Sequence, residues 1–385
     1  MRFSLSVIAL LLCCAAAPAQ QTPAKPAAPV SVTAKSAKPD LWSNLPQEAL
    51  KFSKQILPSG VPQSPAMTAP IECSPRGSAF LQIPMPPTFM PASDTFVAIN
   101  KDGGATVFPK VSRLQGYVDV APIAYFPGDG AVYALVQARK QLPPEEPGEA
   151  PSKGPLLFLI VRYSEDGSIE ATHTLDTFNN SFLPEKFAPI PSGGFIVMGV
   201  QPLNNVLETF LLDSDGLNPR EIDLSGSGLY SSGKLSKFFG EKNRSLAHGG
   251  PGLNSLALGA IQFVPYGDDV LLVQTGTNYP VAVIGNGGIL RTVPLKLPPG
   301  TTIESFIPSS ERNWYVALPG KLNHVSAHTI IEFDSVTGEP LRRFTTTSLP
   351  PHSIACDADG TWMAFKRVPE KGEQYGALAL LTASQ

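Results

Sequence analysis

The stretch FAPIPSGGFIVMGV, residues 187–200, places an apolar run on each side of a turn that is rich in proline, serine and glycine. This pattern is typical of a β-hairpin, because such residues permit a tight turn and the apolar runs suit buried strands. It occurs five more times, as PIECSPRGSAFLQI (70–83), PIAYFPGDGAVYALV (122–136), IQFVPYGDDVLLVQ (261–274), SFIPSSERNWYVAL (305–318) and SIACDADGTWMAFK (353–366). The repetition predicts a domain built from one recurring β unit.

A second hairpin follows each of the first five units. Its turns are rich in Asp, Asn and Gly, the residues that best tolerate a positive backbone φ: NKDGG (100–104), SEDG (164–167), DSDG (213–216), GNGG (285–288) and DSVTG (334–338). Two hairpins in each unit predict a four-stranded antiparallel sheet.

The spacing of the units matches the blades of a β-propeller. The residues just before the first turns, Cys73, Pro127, Pro191, Pro265, Pro308 and Cys356, lie 54, 64, 74, 43 and 48 residues apart. A propeller blade takes about 40–50 residues, and the longer intervals contain insertions at 141–154 and 225–256. LLFLIV (156–161) is apolar on both faces, as a strand between two neighbouring blades should be. We therefore expect an all-β propeller of about six four-stranded blades, with a seventh, degenerate blade in 225–256 as the alternative.

In its hairpin period and its turns, the chain resembles the secreted six-bladed propellers of the NHL, TolB and gluconolactonase-like group. The resemblance covers residues 70–385 and is one of architecture, since no WD dipeptide or kelch signature repeats along the chain. It implies the fold and assigns no activity.

The last unit predicts how the ring closes. Its final segment, GALALLTASQ (376–385), supplies a third strand and leaves no sequence for a fourth. Because an open sheet would expose an unpaired edge, we expect a segment before Cys73 to complete this blade. Cys73 and Cys356 occupy the same position in the first and last units, which predicts a disulfide between neighbouring blades. Two separate buried thiols are the alternative.

The N-terminal part has three predicted segments. Residues 1–19 have the basic start, apolar run and Ala-Pro-Ala cleavage pattern of a signal peptide, and 20–39 form a disordered spacer rich in Pro, Ala and Lys. In 40–69 we expect a short amphipathic helix followed by an extended segment, because Leu45, Ala49, Phe52 and Ile56 recur at helical spacing. The helix would dock on the propeller or, alternatively, bind a partner. The mature chain has no predicted transmembrane segment.

The insertion at 225–256 contains the main candidate site. Gly228-x-x-x-x-Gly233-Lys234 has the spacing of a phosphate-binding P-loop, but Leu235 stands where that motif needs Ser or Thr. We interpret this match as chance. Aromatic and basic side chains in the same loop favour an anionic ligand or a glycan, with a merely solvated insertion as the alternative. These tentative binding residues are Tyr230, Lys234, Lys237, Phe238, Phe239 and Arg244.

The other motifs predict no catalytic or metal residues. Asp213-x-Asp215-Gly216 is interpreted as a hairpin turn, since it lacks the spacing of a calcium loop, and the pair His324 and His328 lacks the glutamate of a zinc protease motif.

The function expected from the sequence is that of a secreted or periplasmic, non-catalytic binding module. Its partner would be an envelope protein, a glycan or a small ligand, with no cofactor. A calcium-dependent propeller hydrolase acting on a lactone or ester is the alternative. With a net charge of −3 and no basic excess, the chain is not expected to bind nucleic acid.

Overall fold

The computed structural model of this 385-residue chain describes most of the second of its two compact units, Met1–Leu41 and Trp42–Gln385. The described residues are 42–57, 59, 71–73, 79–83, 95–108, 114–128, 130–144, 147, 150–164, 166–178, 181–203, 206–222, 224, 258–276, 278, 280–303, 305–307, 313–318, 328–346, 355–358, 361–368 and 377–384. The predicted signal peptide and spacer lie outside this range. No helix among the described residues is long and apolar enough to cross a membrane.

The described strands form six antiparallel meanders, and these are the blades of a propeller. Blade 1 contains β3 (Ile71–Cys73), β4 (Ala79–Ile83), β5 (Thr95–Ile99) and β6 (Ala105–Val107). Blade 2 contains β7 (Tyr117–Pro127), β8 (Ala131–Leu142), β9 (Ser152–Ser164) and β10 (Ile169–Thr174). Blade 3 contains β11 (Leu183–Pro189), β12 (Phe195–Gln201), β13 (Val206–Leu212) and β14 (Arg220–Glu221).

The remaining three blades continue the same order. Blade 4 contains β15 (Ile261–Tyr266), β16 (Asp269–Gln274), β17 (Val281–Gly285) and β18 (Gly288–Val293). Blade 5 contains β19 (Ser305–Ile307), β20 (Asn313–Leu318), β21 (His328–Asp334) and β22 (Pro340–Thr346). Blade 6 contains β23 (Ala355–Ala358), β24 (Thr361–Val368) and β25 (Ala377–Ser384). The predicted six-bladed, all-β architecture is confirmed, and the proposed seventh blade falls on residues outside the described part of the chain.

The blades stack because their middle strands are buried on both faces. In β9, Phe158 and Ile160 pack in a cluster with blades 3 and 4, whereas Leu159 and Val161 pack on the other face with blade 1. Adjacent residues of a strand point to opposite faces, so this strand lies between two neighbours, as its uninterrupted apolar run predicted. Apolar clusters of the same kind join blades 4 and 5, and blades 5, 6 and 1.

Two short N-terminal strands complete the ring. β2 (Lys54–Ile56) pairs antiparallel with β25 and becomes the fourth strand of blade 6. The prediction that a segment before Cys73 supplies this strand is confirmed. β1 (Gln47–Ala49) pairs in parallel with β22 and adds a fifth strand to blade 5. A disulfide joins Cys73 of β3 to Cys356 of β23, with the two Cα atoms 5.6 Å apart, as the cysteine positions predicted.

The helix predicted in 40–69 is wrong for the described residues, because β1 and β2 stand in its place. The Leu50 amide donates to Thr345 O at 2.8 Å, and the Arg343 amide donates to Pro46 O at 2.9 Å, so this backbone bonds to a blade rather than to itself. Leu45 packs with blades 4 and 5, whereas Phe52 packs with the cluster of blades 5, 6 and 1. Tertiary pairing overrides the helical spacing because it satisfies the same backbone groups and buries the same side chains.

Candidate functional site

The two hairpin turns of each blade lie at the same end of its sheet. In an antiparallel meander, the turn between the first and second strands and the turn between the third and fourth strands share one edge. We call this edge of the propeller the hairpin-turn face. Each of the five predicted second turns contains a glycine with positive φ, which confirms their sequence interpretation: Gly103, Gly167, Gly216, Gly288 and Gly338.

Carboxylates at the first position cap the second turns of blades 3 and 5. In blade 3, Asp213 accepts hydrogen bonds from the Leu217 amide at 2.9 Å and from Asn218 Nδ2 at 2.6 Å. These bonds hold the pKa of Asp213 below its ordinary value, because they favour the ionised form. The pKa of Asp334 in blade 5 is lowered in the same way, mainly by hydrogen bonds from the Thr337 amide and hydroxyl. Asp213-x-Asp215-Gly216 is therefore a hairpin turn, as predicted.

Blade 4 departs from this arrangement. Its third strand ends at Gly285, and only Asn286 and Gly287 separate it from β18. The turn thus has no carboxylate at its first position, and no atom lies within 4 Å of where a Gly287 side chain would begin. A short, uncharged turn faces blade 3 at this point.

A cleft of about 430 Å³ opens between blades 3 and 4 on the hairpin-turn face. Its lining is about equally polar and apolar and is formed by Ser192, Gly193, Leu211, Leu212, Asp213, Ser214, Asn218, Arg220 and Asn286. One guanidinium, two amides, two hydroxyls and one carboxylate thus converge on a space large enough for a small ligand. We call this space the blade 3–4 cleft.

Two hydrogen bonds hold the cleft walls in position. Arg220 Nη2 donates to the backbone carbonyl of Asn286 at 2.6 Å. Asn286 Nδ2 in turn donates to the backbone carbonyl of Ser192 at 2.7 Å. The side chains of Arg220 and Asn286 therefore link blades 3 and 4, and the guanidinium is oriented before any ligand arrives.

A second polar feature lies on the first strand of blade 3. The pairing of β11 with β12 shifts at Glu185, which is the additional residue of a β-bulge. Burial raises the pKa of Glu185, and the neighbouring charge of Lys186 partly opposes that rise. Lys186 Nζ donates to the backbone carbonyl of Ile261 in blade 4. This lysine joins the first strands of two blades, which explains its place in the fold.

The structure tests few of the site residues expected from the sequence. The loop residues Tyr230, Lys234, Lys237, Phe238, Phe239 and Arg244 all lie outside the described part of the chain. Within the described part, no group of three or more His, Cys, Asp or Glu side chains is arranged to hold a metal ion. No sequence motif identified the blade 3–4 cleft, because its lining residues come from three separate turns.

No family model matches the sequence, and no curated protein is similar to it. Solved structures with a similar course of the chain include a calcium-binding regucalcin from Agrobacterium tumefaciens strain C58, with 11% identity and a TM-score of 0.38 over 84% of this chain and 95% of that one. A subtype N10 neuraminidase-like protein of the A/little yellow-shouldered bat/Guatemala strain has 8% identity and a TM-score of 0.37 over 87% and 99%. The polysaccharide lyase Uly1 has 9% identity and a TM-score of 0.37 over 85% and 93%. The fold is established by the strand order and not by these likenesses.

Proposed function

We propose that this chain is a secreted or periplasmic, non-catalytic binding module, and that it holds a small polar ligand in the blade 3–4 cleft. The observation that supports this proposal most directly is the convergence of Arg220, Asn286, Asn218, Ser192 and Ser214 on one concave space. Donors and acceptors at fixed positions orient a ligand, and Leu211 and Leu212 offer it apolar contact.

The fold supports the same proposal. A ligand placed between two blades contacts turns that the stacked sheets already hold rigid, so binding requires little ordering of the chain. Low ordering cost favours affinity even where the contact area is small. The calcium-dependent hydrolase remains the alternative, and it would need oxygen ligands that converge on one point.

The proposal is tested by blocking the cleft. Ser214 and Asp215 are adjacent, exposed residues of the same turn, and only Ser214 lines the cleft. Ser214→Trp should fill the space, whereas Asp215→Trp adds the same ring outside it. Thermal unfolding of the wild type and of both variants is measured with a panel of neutral, acidic and basic small molecules at millimolar concentration.

We expect at least one compound to raise the melting temperature of the wild type and of Asp215→Trp, and to leave Ser214→Trp unchanged. Ligands that bind the folded state stabilise it by mass action, so the shift reports binding. If every active compound also stabilises Ser214→Trp, the cleft is not the site. A fall in melting temperature with EDTA, restored by calcium, would favour the hydrolase alternative.

Localisation has its own measurement. The signal-peptide prediction expects a mature chain that begins at Gln20. Mass spectrometry of the protein from the extracytoplasmic fraction of the expressing cells should find that N-terminus. Recovery of the full-length chain from the cytoplasm alone would contradict a secreted or periplasmic location.

A further inference from the structure

Three blades carry an arginine at the same place in their outer hairpin. Arg220 pairs with Leu211 in blade 3, Arg291 pairs with Val283 in blade 4, and Arg342 pairs with Glu332 in blade 5. Each partner lies two residues before the first turn residue, which is Asp213, Gly285 or Asp334. The internal repeat therefore allows the surroundings of one arginine to be compared with those of the other two.

Arg342 is fully neutralised by carboxylates. Its Nε donates to Glu332 Oε2, and its Nη1 lies 3.4 Å from Glu48 Oε1. Glu332 is only 4% exposed, and its other oxygen accepts a 2.8 Å hydrogen bond from Asn313 Nδ2. In blade 5 the guanidinium thus forms part of a network that fastens β1 to the sheet.

Arg291 forms no ion pair within 4.0 Å among the described residues, but its charge acts on two acidic groups. Its Nη1 donates to the backbone carbonyl of Ser335 at 2.8 Å. The hydrogen bonds of Thr337 are the main reason that the pKa of Asp334 is low, and Arg291 adds to that effect. Burial raises the pKa of Asp269, and Arg291 opposes the rise. Arg291 is thus close enough to Asp334 and Asp269 to lower the pKa of each.

Arg220 has the same kind of backbone anchor as Arg291 and, unlike Arg342, forms no ion pair among the described residues. It donates to Asn286 O as Arg291 donates to Ser335 O, but the turn of blade 4 begins with Gly285 where that of blade 5 begins with Asp334. Among the described residues, no carboxylate oxygen lies within 4.0 Å of the Arg220 guanidinium. Asp213 shares the cleft with Arg220, but it is turned toward the Leu217 amide and Asn218 Nδ2.

We propose that Arg220 binds the carboxylate of the ligand in the blade 3–4 cleft, so that the ligand is a small organic monocarboxylate. This inference rests on the proposed function. The planar guanidinium presents paired N–H donors that match the two oxygens of a carboxylate, and it is already fixed by Asn286 O. Asp213 also lines the cleft, and its negative charge repels a dianion such as phosphate more strongly than a monoanion. Ser192 and Ser214 line the same cleft, and their hydroxyl groups can bond to the polar groups of the acid.

The test compares an acid with its uncharged isostere. N-acetylalanine and N-acetylalaninamide have the same shape and differ in whether a carboxylate or an amide stands at the end. Saturation-transfer difference NMR measures weak binding of each to the wild type, Arg220→Gln and Arg291→Gln. Inorganic phosphate is added as a competitor in a separate series.

We expect the acid to bind the wild type about tenfold more tightly than the amide, since a charge-assisted pair is lost with the amide. Arg220→Gln should remove that preference, and Arg291→Gln should retain it because Arg291 lies outside the cleft. Phosphate should compete poorly. Equal binding of acid and amide, or an unchanged preference in Arg220→Gln, overturns the inference, and so does the absence of detectable binding of the acid.

The two proposals fail in different ways. If a neutral compound stabilises the wild type and not Ser214→Trp, the cleft is a binding site, and equal signals from acid and amide then refute only the carboxylate. If phosphate displaces the acid at equal concentration, the ligand class is a general anion and the monocarboxylate inference is wrong. If no compound distinguishes Ser214→Trp from Asp215→Trp, both proposals are refuted.

Discussion

Blades 4 and 5 meet on the hairpin-turn face through turns that touch, whereas blades 3 and 4 leave a cleft at the equivalent place. At the first junction, Ser335 accepts from Arg291 and its hydroxyl lies 3.2 Å from the Tyr266 hydroxyl, while the Lys296 amide donates to Gly338 O at 2.9 Å. At the second junction, Asn286 makes the backbone contact to Arg220, and the space beyond it is open.

Turn length explains the difference. The turn of blade 5 contains five residues, 335–339, and that of blade 4 contains two, 286–287. The longer turn reaches the preceding blade and fills the junction, whereas the shorter turn cannot. A cleft has thus formed where the second turn of blade 4 is short, whereas the longer turn of blade 5 holds two blades together.

The largest effect is expected at the junction of blades 6 and 1, where the contact is covalent. The disulfide between Cys73 and Cys356 spans 283 residues, and removing it should lower the free energy of unfolding by about 3–5 kcal/mol. Urea unfolding of the oxidised wild type is compared with that of Cys73→Ser/Cys356→Ser. Dithiothreitol should reduce wild-type stability to that of the double variant and leave the variant itself unaffected. A wild type that is indifferent to the reductant would contradict the bond.

The next prediction contrasts the closed junction, between blades 4 and 5, with the open junction, between blades 3 and 4. Gly338 has φ +68°, and a side-chain carbon there would lie 2.1 Å from Pro294 O of the preceding blade, whereas Gly287 faces empty space. Gly338→Ala should therefore cost about 2–4 kcal/mol through backbone strain and overpacking. Gly287→Ala is the matched control and should be close to neutral in thermal and urea unfolding. Equal losses in the two variants would mean that the junctions do not differ as described.

A smaller effect is expected from a single hydroxyl at the closed junction. Tyr266→Phe removes the partly buried contact to Ser335 and should cost about 1 kcal/mol. Tyr163 provides the control, because its hydroxyl is buried without a hydrogen-bond partner in the described structure, and burial raises its pKa to about 12. Tyr163→Phe should leave the free energy of unfolding unchanged or increase it. A loss in Tyr163→Phe as large as that in Tyr266→Phe would argue against the junction contact.

The smallest expected effect is a loss of local stability in two turns at low pH. The pKa values of Asp213 and Asp334 are lowered in the folded state by hydrogen bonds from their own turns. Their stabilising contribution is therefore complete above the unfolded value of about 3.9, and it is lost as the pH falls through the lower folded value. Hydrogen exchange of the Leu217 and Thr337 amides should lose protection over that range, while the turn of blade 4, which begins with Gly285, should show no such step.

Asp215, two residues after Asp213, provides the control for this pH effect. Asp213→Asn should remove the pH dependence of Leu217 protection, and Asp215→Asn should keep it, since the described hydrogen bonds of the turn use the Asp213 side chain. A pH step that survives in Asp213→Asn would assign the effect to another group.

Much of the fold followed from local patterns. The apolar runs and the Asp, Asn and Gly turns predicted the blades, and the truncated last unit predicted that β2 would complete blade 6. The helix prediction failed because Leu45, Ala49, Phe52 and Ile56 suit a helix equally well. Only their partners in blades 1, 4, 5 and 6 decide against it. A signal for the cleft was present in the repeated arginines, but Arg220, Arg291 and Arg342 follow their turns at unequal distances because the turns differ in length.

The sequence by itself determined the number of described blades, the positions of their turns and the pairing of Cys73 with Cys356, because these depend on residue type and on a repeat that recurs along the chain. Tertiary structure alone decided that residues 47–49 and 54–56 become strands and that blades 3 and 4 enclose a cleft. Those outcomes depend on which unpaired strand edges, charges and turns meet in space. Arg220 comes to line a cleft only through its contact with Asn286, 66 residues later in the chain.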